Sequence, residues 1–99
     1  MTSKMVVNTQ NLRSRATELE NFNTRFHQEV MRLREDETLL CSSYEGDAQR
    51  KFHEQFTLDM EKFDRFYSVI QQYIAQLRQD ADNYDRTEAA NLEIATRRR

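Results

Sequence analysis

The chain has 99 residues, enough for one domain and too few for two independent cores. Its formal net charge of −2 excludes a bulk electrostatic attraction to nucleic acid, and no run of 18 apolar residues exists to span a membrane. Hydrophobic residues make up 37% and charged residues 32%, lean for a compact core, yet six Phe and four Tyr argue against disorder. Such a composition points to long amphipathic helices that bury their apolar residues along a seam.

There is no proline, and the single glycine, Gly46, stands almost at the midpoint. Glycine and proline are the strongest local breakers, so two long elements joined by one turn are expected. Residues 1–7 read as a loose or extended lead-in. Met1 to Val7 is followed at once by polar Asn8, so no cleavable secretory signal is expected, and by the usual rules the protein stays in the cytoplasm. Asn8 or Thr9 can cap a first helix over about 8–41. Along it apolar residues recur at three- and four-residue steps: Leu12, Ala16, Leu19, Phe26, Val30, Leu33 and Leu40. Asn23 and Glu37 occupy the two gaps in this stripe, and Phe22 partly fills the first. Asn23 reads either as a polar device that fixes register or, the preferred reading, as a place where the bundle opens to water.

The turn is expected over about 42–46, in Ser42-Ser43-Tyr44-Glu45-Gly46, with Asp47 favourably placed in the first turn of the next helix. A second helix over about 47–95 carries an unbroken series: Ala48, Phe52, Phe56, Met60, Phe63, Tyr67, Ile70, Ile74, Leu77, Ala81 and Tyr84. Phe66, Val69 and Tyr73 widen it into a broad apolar face between Phe63 and Leu77. The second helix should overhang the first at its C-terminal end. A lone hairpin buries only a narrow seam, so the expected fold is all-α, an antiparallel two-helix hairpin that dimerises into an elongated four-helix bundle.

No catalytic set emerges, and no cofactor or metal is expected. His27 and His53 lie in different helices, roughly 19 and 7 residues from the turn, too far apart along the axis to share a ligand. They are read as surface histidines. Cys41 cannot form an internal disulfide, has no histidine in its own turn to lower its pKa, and is expected to pack near the helix end. Glu35, Asp36 and Glu37 are consecutive and should splay around the helix. One glycine rules out a glycine-rich phosphate loop, and acids and bases are mixed along both helices, unlike a membrane-surface helix. Arg97, Arg98 and Arg99 read as a solvated tail or as cations at a helix C-terminus.

Two short motifs carry a family resemblance. Tyr44-Glu45-Gly46, followed by Ala48 and Phe52, resembles the tryptophan-any-glycine turn of the WXG family, with tyrosine in place of tryptophan. Tyr84-Asp85-Arg86-Thr87-Glu88 is similar to that family's secretion signal, a tyrosine followed four residues later by an acid. Length and two-helix organisation match over the whole chain. The resemblance implies a small non-catalytic protein, cytoplasmic before export and secreted through a type VII secretion system, as effector or as co-secreted targeting partner. It also implies a homodimer, or a heterodimer with a related hairpin, recognised by the membrane ATPase of that system, with a larger toxin as a further candidate partner. In an antiparallel dimer the turn of one protomer would approach the tail of the other, making a composite signal of Tyr44, Gly46, Tyr84 and Glu88. Tyr84 and Glu88 are four apart and share a helical face. The expected seam and dimer residues are Phe52, Phe56, Met60, Phe63, Tyr67, Ile70, Ile74 and Leu77. The competing reading is a cytoplasmic coiled-coil adaptor without export, and a distant third is a nucleic-acid binder resting on Arg97–Arg99.

Overall fold

A computed structural model describes residues 8–43 and 45–97. The lead-in 1–7, Tyr44, Arg98 and Arg99 lie outside the described residues. Two helices, α1 (Thr9–Ser43) and α2 (Asp47–Arg97), form an antiparallel hairpin, a rod of 81 × 25 × 19 Å. Among the described residues only Asn8, Glu45 and Gly46 lie outside these helices.

Local chemistry fixes the helix ends. Asn8 caps α1: its carbonyl accepts from the Leu12 amide and its side-chain oxygen accepts from the Asn11 amide, each at 3.1 Å. At the other end Ser42 and Ser43 turn their hydroxyls back to donate to the carbonyls of Leu39 and Leu40, adding side-chain bonds to the last turn of the helix. Gly46 has φ of 117°, a conformation that side-chain-bearing residues rarely adopt, and its carbonyl accepts the first α2 bond from Arg50. Asp47 then pairs with Arg50 in the first turn of α2.

The interface centre is a seven-residue repeat on each helix. On α1 the buried positions are Ala16, Asn23, Val30 and Glu37; on α2 Met60, Ile74 and Ala81 are buried, with Tyr67 half-buried between them. Asn23 is only 1% exposed, and its Nδ2 donates to the Tyr67 carbonyl at 3.1 Å. The expectation that the bundle opens to water there is therefore overturned: the two helices close over the amide. The stripe along α1 also drifts from the expected one. Arg34 and Cys41 lean into the interface, while Leu33 and Leu40 stand beside it, 44% and 43% exposed. A straight helix turns through slightly less than two full turns in seven residues' worth of a 3.5 repeat, so the contact line shifts sideways over four heptads.

The molecule has two unlike flanks. In an antiparallel pair, residues four ahead of each buried position on both helices fall on one side, and residues three ahead fall on the other. The first flank carries cross-helix ion pairs: Arg13 with Asp82 and Asp85 (2.8 Å each), Arg78 with Glu20 (3.1 Å) and Arg34 with Asp64 (2.8 Å). The rung between the last two holds His27, packed on Tyr67 at 4.9 Å between ring centroids, and Gln71, which donates to the Tyr67 hydroxyl. The second flank is apolar, with Leu12, Leu19, Phe26, Leu33 and Leu40 on α1 and Phe56, Phe63, Ile70, Leu77 and Tyr84 on α2. Phe26 meets Phe63 edge-on at 5.8 Å and Phe66 at 5.1 Å, and stacks with Phe22 at 6.3 Å.

Candidate functional site: the apolar flank, the tail and the hairpin tip

Large side chains on the apolar flank are incompletely covered. Phe22 and Phe66 are each 45% exposed and Tyr73 55%. Leu12, Leu19, Phe22, Tyr73 and Leu77 line a groove of about 540 Å³ along this side, and Phe22 and Phe26 line another with Arg25 and Glu29. Of the expected seam residues, Met60 and Ile74 are buried in the hairpin itself. Phe56, Phe63, Tyr67, Ile70 and Leu77 are half-buried, and Phe52, stacked on Phe56 near the turn, is exposed. The burial pattern thus separates the centre of the hairpin from a face that is only partly covered by the described residues.

Asp85 marks the end of the paired region, bound by Arg13, which with the Thr9 hydroxyl holds its carboxyl below the ordinary aspartate range. Beyond it α2 continues for about 18 Å, at 1.5 Å per residue, past the start of α1 and with no other described residue beside it. Tyr84 is the last side chain of the apolar flank, 37% exposed, and Glu88 lies one turn further on, exposed, in the segment of α2 that extends past the start of α1. Arg97 pairs with Glu93 within the same helix, which accounts for the first residue of the basic tail. Gly46 and Tyr84 are far apart in the rod, at opposite ends of the paired region. Tyr44 lies outside the described residues.

Near the tip, His53 of α2 joins Glu37 and Cys41, which lie four residues apart on α1. Glu37 Oε1 accepts from Cys41 Sγ at 2.9 Å and lies 2.6 Å from His53 Nδ1 across the hairpin. Glu37 points into the interface, 8% exposed, while Glu35 and Asp36 are exposed. The hydrogen bond from Cys41, followed by that from His53, holds the Glu37 carboxyl below its ordinary range. In turn Glu37 and partial burial push the Cys41 thiol up, against a smaller opposite pull from Gln49. A thiol held in its protonated form is a poor nucleophile. His27 and His53 do not meet; each has its own partner, Tyr67 and Glu37 respectively. The expected surface role of His53 understates it, because the contact comes from a turn of α1 sixteen residues earlier. A helix-pair register would have been needed to find it.

Among curated proteins and among solved structures nothing matches the chain. The family described as proteins of 100 residues with WXG matches it over residues 4–89. That span takes in all of α1, the turn and α2 as far as the residue after Glu88. The chain belongs to the WXG100 family, small helical proteins associated with type VII secretion.

Proposed function

We propose that the protein is a non-catalytic type VII secretion substrate, exported as a folded hairpin paired with a second copy or a related hairpin. The observation that carries this reading is the position of Tyr84 and Glu88. They share one helical face where α2 leaves its partner helix, so a receptor can reach both without opening the hairpin. The uncovered apolar flank supports pairing, because aromatic side chains there gain most from burial against another apolar surface. The secretion ATPase would read the tail, and a toxin's own hairpin is a natural occupant of the flank in a heterodimer.

The test compares culture medium with lysate for the native chain and for a Tyr84→Ala/Glu88→Ala variant, with helical content checked by circular dichroism. Export lost only in the variant supports the proposal. Secretion of a folded double variant at the native level refutes the tail as signal. Retention of both chains in the cell favours the cytoplasmic adaptor.

A further inference from the structure

We propose that Glu37, Cys41 and His53 form a binding site for one zinc ion, a clip that ties the end of α1 to the start of α2. The ligand atoms (a carboxylate oxygen, Sγ and an imidazole nitrogen) lie within 4.8 Å of one another. Zinc favours this mixed set, at about 2.0–2.3 Å per ligand in tetrahedral geometry, which places ligand atoms about 3.4 Å apart. The contacts in the structure, 2.6 Å from Glu37 to His53 and 2.9 Å from Glu37 to Cys41, need open by less than about 1 Å to admit the ion.

Three features favour a metal over a plain hydrogen-bond cluster. Glu37 and Cys41 are four apart on one helix and present both ligands on one face, and the third comes from the facing helix, so the backbone already holds the set together. Glu37 occupies a central interface position where its hydrogen-bond partners are a thiol and an imidazole, neither a permanent cation; Arg34, which lines the same groove, pairs with Asp64. A buried carboxylate in that setting is stabilised far more by a divalent ion than by neutral donors. Third, the cluster opens onto a groove of about 280 Å³ with Thr38, Thr57 and Glu61 on its walls, which gives an ion a path in and room for a water as fourth ligand. On binding, Cys41 loses its thiol proton to solvent and coordinates as thiolate, while His53 coordinates through its neutral ring.

The experiment uses the full chain, reduced and stripped with chelator, titrated with Co²⁺ and then with Zn²⁺ in competition. The expected result is one Co²⁺ per chain, with thiolate-to-cobalt charge-transfer absorption and the strong visible bands of tetrahedral cobalt. Zn²⁺ should displace the Co²⁺ and raise the melting temperature. Cys41→Ser should abolish the charge-transfer band, and His53→Gln should weaken Zn²⁺ binding more than about a hundredfold, beyond the loss expected for a residue that only supports a ligand. The native chain decides the matter by itself: no thiolate–cobalt absorption at tenfold excess Co²⁺ overturns the site. Binding that survives unchanged in both folded variants also overturns it, since the metal would then sit elsewhere.

Discussion

Asn23 offers the sharpest test of how the hairpin is held together, through the substitution Asn23→Leu. The side chain is almost wholly enclosed, and only one of its two polar ends is satisfied: Nδ2 donates to the Tyr67 carbonyl, while Oδ1 has no partner among the described residues. That carbonyl already accepts within α2, so losing the amide donor costs at most about 1 kcal/mol. Removing the enclosed unsatisfied oxygen returns about 1–3 kcal/mol. A leucine, bulkier than the asparagine it replaces, adds about 1–2 kcal/mol of apolar burial and costs about 1 kcal/mol in overpacking at so enclosed a position. The net expectation is stabilisation of about 1–3 kcal/mol, or a melting temperature higher by about 5–20 °C for a domain of this size. The assay is thermal and urea unfolding followed by circular dichroism, at one fixed protein concentration because pairing would make the midpoint concentration-dependent. A variant that melts with or below the native chain would show that the amide is fully satisfied in solution, and this accounting would be wrong.

Two further predictions concern the flanks. Phe66→Lys/Tyr73→Lys, placed on the half-covered apolar flank, should weaken association at least about tenfold in sedimentation while helicity is retained; unchanged association would move the interface elsewhere. Stability should fall in acid. The carboxyls of Glu37, Glu20 and Asp85 are all held below their ordinary ranges, by Cys41 and His53, by Arg78 and by Arg13 respectively. Depressed folded pKa values mean that the unfolded chain takes up protons first, so this stabilisation is complete above the ordinary carboxylate range. It is lost as pH drops below about 4.5 and on through the folded values. Melting temperature against pH should therefore be flat above the carboxylate range and decline below it, less steeply in Glu20→Gln; a rise on acidification would contradict the ion-pair reading.

The hairpin was legible in the sequence because its signals are local. A single glycine, an asparagine cap and three- and four-residue apolar steps each act over one or two turns of helix. What was not legible depends on the pairing of the two helices. Asn23 looked like a gap in a stripe because its enclosure comes from α2, not from its neighbours in the chain. His53 looked unrelated to Glu37 for the same reason, since their contact crosses the hairpin. A signal was nonetheless present: Arg13, Glu20, His27, Arg34 and Cys41 repeat every seven residues, as do Asp64, Gln71, Arg78 and Asp85. Reading the second series backwards against the first gives Arg–Asp, Glu–Arg, His–Gln and Arg–Asp, a complementary antiparallel ladder. Tracking only apolar residues hides it.

That ladder has a consequence beyond the modest stability that exposed ion pairs contribute. The apolar flank discriminates register weakly, because a leucine or phenylalanine meets another apolar side chain after any shift of seven residues. The ladder does not tolerate the shift. Sliding α2 by one heptad sets Arg13 opposite Arg78 in one direction and Glu20 opposite Asp85 in the other, so like charges face each other. The short connection between Ser43 and Asp47 already resists such a slide within one chain. The charges matter most, then, for what may approach from outside. A hairpin docking on the ladder would strip water from Arg13, Arg34, Arg78 and their carboxylates, a desolvation cost that apolar contact cannot offset. One docking on the Leu–Phe side meets no such cost. In the proposed pairing, the same heptad that joins the two helices thereby assigns one flank to solvent and leaves the other for the second hairpin.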